Sequence, residues 1–165
     1  MAKENERNDV EAIGCQASDH DSRSEFEEMS QAIKTALYVK LTTDQSAGSL
    51  YTAVGGRIYE LQGKDDDPLP LLTYEVTSSP VAGLYNGTVI EKSQVIITIY
   101  GHRRLGAQAV GDIEAKLFTL LNQSALAPVG YDSNSVAICL DRDRRTVFDE
   151  IITSESVYAI DATTT

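Results

Sequence analysis

Histidine and cysteine are scarce in this sequence, which holds two of each among its 165 residues. His20 lies in a polar N-terminal stretch, so a zinc site or a Ser-His-Asp triad would have to depend on His102. Cys15 lies in the same polar stretch and Cys139 in an apolar strand pattern, and two such cysteines form no disulfide framework. The scarcity therefore predicts no zinc site, no catalytic triad and a reducing compartment.

Long apolar runs, excess positive charge and nucleotide-binding motifs are also absent. Every apolar run is far shorter than the roughly 20 residues that a membrane-spanning helix needs, and the first seven residues lack the apolar core of a signal peptide. The net charge of −11 gives no general attraction to nucleic acid or to anionic lipid, because both are anionic. Neither the GxGxxG fingerprint nor the P-loop pattern occurs. We expect no enzymatic activity, no cofactor and no membrane contact.

The patterns that are present divide the chain into a polar arm and one folded domain. Residues 1–23 carry six acidic and three basic side chains without apolar periodicity, which predicts a flexible acidic arm. Residues 24–165 are expected to form a single domain. Apolar residues recur at helical spacing between Phe26 and Leu41, and Ser24 is followed three positions later by a glutamate, as in a capping box. The first element is therefore predicted to be a helix that Ser24 caps.

Alternating apolar and polar residues predict the strands. Leu71 to Thr77 alternates, residues 78–87 contain the Pro, Gly and Asn of a loop or hairpin tip, and Thr88 to Tyr100 is a long strand candidate. The polar first half of this long strand predicts a solvated projection, and its apolar second half predicts cover on both faces. Two further strands are predicted at Val136 to Leu140 and at residues 151–160.

A second amphipathic helix is predicted over residues 103–122. Its apolar stripe of Val110, Ile113, Leu117 and Leu120 has the spacing of one helix face. The resulting order, α-β-β-α-β-β, predicts an α+β fold in which a mainly antiparallel sheet of about four strands packs with two amphipathic helices.

Charged clusters supply the candidate functional residues. Asp65-Asp-Asp67 lacks the alternate spacing, the bend glycine and the distal glutamate of a calcium loop, so we expect a solvated loop there. In Asp141-Arg-Asp-Arg-Arg145, strand geometry puts the two aspartates on one face and Arg142 and Arg144 on the other. Paired carboxylates could perform acid–base chemistry only inside a cleft. A solvated strand end and ion pairs to a neighbouring subunit both stay open as interpretations.

The segment His102-Arg-Arg104 lies where the second helix is expected to begin. Positive charge there opposes the helix macrodipole at a cost of a few tenths of a kcal/mol per residue. Such a conflict indicates either solvated arginines or an external anionic partner, including a weak contact with nucleic acid. The residues that we assign to an interface with other subunits or partners are Tyr85, Glu91, Lys92, Arg103, Arg104, Asp141, Arg142, Asp143 and Arg144.

Four motifs follow one another in a fixed order from the first helix to the long strand. They are Leu41-Thr-Thr-Asp44, Val54-Gly-Gly-Arg-Ile-Tyr59, Pro68-Leu-Pro70 with the strand to Pro80, and Gln94-Val-Ile-Ile-Thr-Ile-Tyr100. In this order, and over the region from about Ala32 to Ala162, the sequence resembles the tail terminator (tail completion) family of long-tailed bacteriophages.

The resemblance implies a structural virion protein of the phage tail, assembled in the host cytoplasm. Its α+β subunits would form a homomeric ring, typically hexameric, on the head-proximal end of the tail tube. The ring would stop tube polymerisation and give the head-side connector protein a docking surface, while genomic DNA passes through without specific binding. The family brings no catalytic, cofactor or metal residues. The alternatives are another head–tail connector (neck) protein, a tail tube protein or a small-ligand-binding α+β domain.

Overall fold

The computed structural model describes residues 19–64, 66–81, 90–129 and 135–163. Its elements in chain order are α1 (Asp19–Thr43), α2 (Leu50–Ala53), β1 (Ile58–Glu60), β2 (Leu71–Val81), β3 (Ile90–His102), the 3₁₀ turn η1 (Arg103–Leu105), α3 (Gly106–Leu121), β4 (Ser124–Ala125), β5 (Val136–Phe148) and β6 (Ile151–Thr163). The strands form one sheet in the order β1-β2-β3-β6-β5-β4, in which β1 runs parallel to β2 and every other neighbouring pair is antiparallel. The predicted α+β fold with a mainly antiparallel sheet is confirmed.

The sheet has six strands, more than the sequence predicts, because two of them are too short for alternation to reveal. β1 has three residues and β4 has two. β1 follows Gly55 and Gly56, whose positive φ angles turn the chain from α2 into the sheet. Arg57 Nε then donates a hydrogen bond to the backbone oxygen of Pro70 at 3.0 Å, which joins the start of β1 to the start of β2.

The first helix begins earlier than predicted. α1 starts at Asp19, so Ser24 lies inside the helix and the predicted capping box is wrong. The stretch before Ser24 is acidic in sequence, and negative charge near a helix N-terminus stabilises the helix. Ile33, Leu37 and Leu41 are buried, as the predicted stripe requires. Residues 1–18 lie outside the described part of the chain, so the division into a flexible arm and a domain stays a prediction.

One face of the sheet carries the core, and α3 covers the middle strands on that face. The buried side chains of this layer include Val95, Ile97, Ile99, Val110, Ile113, Leu117 and Leu121. The stripe predicted for the second helix is thus confirmed at three of its positions, while Leu120 is half-buried. A carboxylate that the sequence did not assign to the core, Glu114, shares the buried face of α3.

The second helix begins later than predicted. Arg103 and Arg104 lie in η1, and Gly106, with a φ of +80°, starts α3. The two arginines therefore precede the first turn of α3 instead of occupying it. Their predicted conflict with the macrodipole is weakened, because the effect is concentrated in the first turn of a helix.

The β2–β3 hairpin is longer and less solvated than predicted. Residues 78–81, expected in a loop, belong to β2 and pair with residues 90–93 of β3. β6 flanks the same part of β3 on its other side. Ser93 is buried, and its Oγ lies 2.8 Å from the Oγ of Ser78. The expected solvation is therefore wrong at Ser93, whereas Lys92 is exposed as expected, and residues 82–89 lie outside the described part of the chain.

Truncating the centre of the α3 stripe tests this packing. We expect Leu117→Ala to lower the free energy of unfolding by roughly 2–5 kcal/mol, because the fully buried side chain leaves a cavity. Leu105→Ala is the matched control, since Leu105 is exposed and its truncation should change stability by about 0.5 kcal/mol or less. Urea unfolding of both variants measures the difference. Equal, small effects would place Leu117 outside the core.

Candidate assembly surfaces

β5 lies near one edge of the sheet and is covered along only part of its length. β4 pairs with Val136 and Ala137 alone, so from Ile138 onward β6 is the one strand that pairs with β5 within the described residues. The turn of the β5–β6 hairpin is Asp149 and Glu150, and every residue from 141 to 150 is exposed. An exposed strand edge with solvent-facing side chains is a candidate surface for contact with another chain.

The charged segment at 141–145 does not alternate as the sequence predicted. The register between β5 and β6 shifts between Cys139 and Asp141 and again between Asp141 and Arg144. Each shift adds one residue to β5, as a β-bulge does, and reverses which side of the strand the next side chain occupies. Asp143 has a positive φ of 59° at the second irregularity. The prediction of one aspartate face and one arginine face is therefore wrong.

Arg142 contacts α3 of its own chain. Its Nε lies 3.3 Å from Glu114 Oε1, and its guanidinium carbon lies 4.3 Å from the centre of the Phe118 ring. Glu114 and Phe118 are four residues apart, so they lie on the same side of the helix. Arg142 therefore combines an ion pair with a cation–π contact and fastens β5 to α3.

The other two arginines of the segment also have partners within the chain. Arg144 Nη1 lies 3.4 Å from Glu155 Oε1 on β6. Arg145 Nε donates to Asp143 Oδ1, and Arg145 Nη2 lies 2.9 Å from the point that a Cβ on Gly111 would occupy. A side chain at position 111 would displace this arginine. The three arginines therefore organise the hairpin internally, and the assignment of Arg142 and Arg144 to an interface stays a prediction.

Glu114 is the polar residue that the sequence reasoning missed. It is 3% exposed, and burial raises the pKa of its carboxyl, while the neighbouring Arg142 guanidinium opposes that rise. Its Oε1 has an ion-pair distance to Arg142 but makes no hydrogen bond with a described group. Its position between Val110 and Leu117, on the apolar stripe of α3, is the sequence feature that could have indicated its burial.

Arg103 and Arg104 lie beside the turn of the β5–β6 hairpin. The backbone nitrogen of Arg103 donates to the backbone oxygen of Glu150 at 2.6 Å. The Glu150 carboxylate lies 3.4 Å from Arg104 Nη2 and 3.3 Å from His102 Nε2. The structure thus brings these two predicted residues to the same end of the sheet as the hairpin turn, where the side chain of Arg104 pairs with the Glu150 carboxylate and Arg103 bonds to Glu150 through its backbone.

The remaining predicted residues lie elsewhere. Lys92 is exposed near the start of β3, opposite Asp161 of β6, and is separated from His102 by ten positions, or about 33 Å of strand. Glu91 lies in β3, and its side chain is outside the described set, as is Tyr85 altogether. The nine predicted interface residues therefore do not form a single cluster.

Apolar side chains form a surface at the turn of the hairpin, which the sequence reasoning also missed. We call Val147, Phe148 and Asp149 the hairpin end. Val147 is 56% exposed and Phe148 is 74% exposed, and Ile151 next to the turn is partly exposed as well. The signal in the sequence was a Val-Phe pair placed immediately before an acidic turn. Phe148 pairs with Ile151 of β6, so these two exposed side chains lie on the same face of the hairpin and form a small apolar surface there.

A groove between α1 and the segment after β4 is the second apolar surface. We call it the alanine groove, and its lining includes Ala32, Ala36, Val39, Lys40, Ala127 and Val129. It has a volume of about 610 Å³. Small side chains on both walls leave this space open, so the groove has room for a bulky apolar side chain from elsewhere.

The acidic loop before β2 is joined to β1 by a hydrogen bond. Tyr59 Oη donates to Asp67 Oδ2, Asp66 is exposed, and Asp65 lies outside the described residues. Within the described ranges, no group of three or more His, Cys, Asp or Glu side chains is arranged to hold a metal ion. No helix in those ranges has the length and apolar character required to cross a membrane.

Neutralising Glu114 tests the balance between its burial and its ion pair. The pKa of Glu114 is higher in the native state than in the unfolded state. At a pH between these two pKa values the native state therefore holds a proton that the unfolded state has lost, and the free energy of unfolding falls as the pH rises through that range. We expect Glu114→Gln to raise the melting temperature at pH 7, and we expect this gain to disappear as the pH falls below the unfolded pKa of about 4.3.

Melting curves of the two proteins between pH 4 and pH 8 provide the measurement. Glu155→Gln is the matched control, because this carboxylate is the partly exposed partner of Arg144 and its loss should change stability by about 0.5 kcal/mol or less at every pH. A Glu114→Gln protein that is less stable than the parent at pH 7 would mean that the Arg142 pair outweighs the cost of burial.

No protein family model matches this chain, and no curated protein matches it. Solved structures share its fold. A chain from the virion of a native gene transfer agent (GTA) particle superposes with a TM-score of 0.66 at 14% sequence identity, over 81% of this chain and 96% of that chain. A second solved chain superposes with a TM-score of 0.52 at 11% identity, over 83% of this chain and 94% of its own length. At these identities the likeness establishes a common fold that spans nearly the whole of both neighbours.

Proposed function

We propose that this protein is a structural component of a phage-type virion, and that it forms the ring that caps the head-proximal end of the tail tube. The observation that carries the proposal is the fold shared with a chain of a gene transfer agent virion over 96% of that chain. The ordered motifs that resemble the tail terminator family give the position within the virion. The ring, typically hexameric in that family, would stop tube polymerisation and receive the head-side connector protein.

A closed ring requires two different surfaces on each subunit. In a head-to-tail arrangement, one surface of each copy contacts the other surface of the next copy, and the chain of contacts closes by rotation. The hairpin end and the alanine groove are two separate apolar surfaces of this kind. They support assembly with further copies, and the tail tube protein and the connector would contact the two flat sides of the ring.

The acidic composition suits the passage of DNA through such a ring. Each copy adds a formal charge of −11, and DNA phosphates are repelled by a surface of the same sign. Genomic DNA would therefore move through the channel without specific binding. The proposal assigns no reaction, cofactor or metal to the chain, and it locates the protein in the virion tail after assembly in the host cytoplasm.

Particles produced without this protein provide the test. If the ring stops tube growth and receives the connector, its loss should give overlong tails that carry no heads, beside DNA-filled heads without tails. Negative-stain electron microscopy measures tail length and attachment. Complementation with the intact chain should restore a single tail length, which controls for effects on neighbouring genes.

The same images separate the alternative roles. Normal virions would end the proposal. Detached tails of normal length would indicate a connector protein, because tube growth would still stop at the correct point. Heads without any tail tube would indicate a tube protein. Overlong tails without heads are the result that the terminator role alone predicts.

A further inference from the structure

We propose that the hairpin end of one copy inserts into the alanine groove of the next copy, with Phe148 as the inserted side chain and Asp149 paired with Lys40. This contact rests on the proposed ring and specifies the interface between its subunits. It depends on four features of the described residues, namely exposure, size, position and charge.

The exposed side chain of Phe148 identifies the hairpin end as the part that is inserted. Phe148 is 74% exposed at the last position of β5, and Val147 beside it is also exposed. The two residues pair with Ile151 and Ile152 of β6 in regular register, beyond the bulges that disrupt the middle of β5. The hairpin end is therefore held in place by its partner strand while its apolar side chains face solvent. A fixed, exposed aromatic side chain is the usual form of an anchor residue in an interface.

The small side chains of the alanine groove identify it as the surface that receives Phe148. Alanines contribute to both walls of the groove, at Ala32 and Ala36 on α1 and at Ala127 on the facing segment. The space of about 610 Å³ between them accommodates a phenylalanine side chain. Val39 and Val129 supply apolar contacts at the walls. The bulky side chains of one surface thus match the small side chains of the other.

Position excludes insertion of the hairpin end into the groove of the same copy. Ala127 follows β4, and β4 pairs with Val136 and Ala137 at the start of β5. Phe148 is the last residue of β5, and the partners of Ala137 and Phe148 on β6, Ile160 and Ile151, are nine positions apart, which corresponds to about 30 Å of extended strand. The two surfaces lie towards opposite ends of one strand and do not overlap. Only another molecule can join them, and a second copy of this chain supplies both.

The charges beside the two surfaces favour a second copy of this chain as the molecule that joins them. Asp149 is exposed next to Phe148, and among the described residues no basic group lies within ion-pair distance of it. Lys40 lines the groove, and no carboxylate of the described residues pairs with it. Insertion of Phe148 would bring these two unpaired charges of opposite sign to the same interface, where exclusion of water strengthens their attraction.

Carbodiimide cross-linking of purified particles tests the contact, because this reagent joins a lysine amine directly to a carboxylate that touches it. On a denaturing gel, linkage between copies gives a ladder of this chain up to the size of the ring, whereas linkage within a copy leaves a monomer. We expect a ladder, with the Lys40–Asp149 peptide pair identified by mass spectrometry. A ladder without that pair would overturn the proposed contact and leave the proposed ring standing.

Two further results would overturn the contact. Linkage of Lys40 to a carboxylate within residues 1–18 would mean that the N-terminal segment occupies the groove. Linkage of Lys40 to a different virion protein would mean that the tube or connector protein does so. Absence of this chain from the particles would overturn the proposed function itself, together with the contact that rests on it.

Two alanine variants compare the proposed anchor residue with an exposed control residue. Phe148→Ala should reduce the ladder by about tenfold or more, as loss of an anchor residue does. Leu61→Ala, which truncates another large exposed apolar side chain, should leave the ladder unchanged. Both side chains are exposed, so the melting temperature of the free subunit should not change with either variant. Equal ladders from the two variants would exclude Phe148 as the anchor.

Charge reversal separates the ion pair from general damage. Lys40→Asp and Asp149→Lys should each weaken the ladder, because each places like charges together in the interface. The double variant Lys40→Asp with Asp149→Lys should restore it, because the pair is re-formed with its signs exchanged. Failure of the double variant to assemble better than either single variant would contradict the pairing.

Discussion

The packing of α3 against one face of the sheet is the interaction on which the rest of the structure depends. The apolar stripe of α3 covers β3 and β6, the two strands that pair with each other along their whole length. The same helix extends its contact to β5 through Glu114 and Phe118, which meet Arg142. A strand near the edge is thereby held in a fixed position although β4 covers only its first two residues.

This fixed position gives the hairpin end its proposed role. A loose hairpin would lose conformational entropy on binding, whereas a strand already fastened to a helix loses little. The arginines at 142–145 serve this purpose within the chain, through Glu114, Glu155 and Asp143. The contact surface is then made by the apolar residues that follow them. Charged residues hold the hairpin, and Phe148 is left free to contact a second copy.

The sequence predicted the fold class because long periodic segments determine it. The stripe of α1 from Ile33 to Leu41 and that of α3 from Val110 to Leu117 are buried as their spacing required. β1 and β4 were not predicted, because two or three residues show no periodicity. The extra turn of α1 before Ser24 was missed because a capping signal can also occur inside a helix.

The candidate site was less predictable than the fold, since it depends on register and on contacts between distant segments. The register shift between Asp141 and Arg144 changed which faces these residues occupy, and a bulge has no local sequence pattern from which to predict it. The partner of Arg142 is a glutamate on another element, which spacing alone could not supply. Exposure of Phe148 follows from where the sheet ends, and the alanine groove follows from how α1 meets residues 125–129.

A subunit that assembles in the proposed way would need few special residues, because its contacts depend on shape. The fold is shared with a gene transfer agent virion chain at 14% identity, so it tolerates extensive change of sequence. What assembly requires is a rigid sheet, an exposed hairpin end and a groove at the opposite end of the same strand.

Reconstruction of the neck of intact particles by electron cryomicroscopy tests the central claim most directly. The proposal predicts a closed ring of this chain between the last layer of the tube and the connector, with the Phe148 side chain of each copy buried in the alanine groove of its neighbour. A chain located elsewhere in the particle would contradict the ring. A ring at this position whose copies meet through other surfaces would contradict the contact between the hairpin end and the groove.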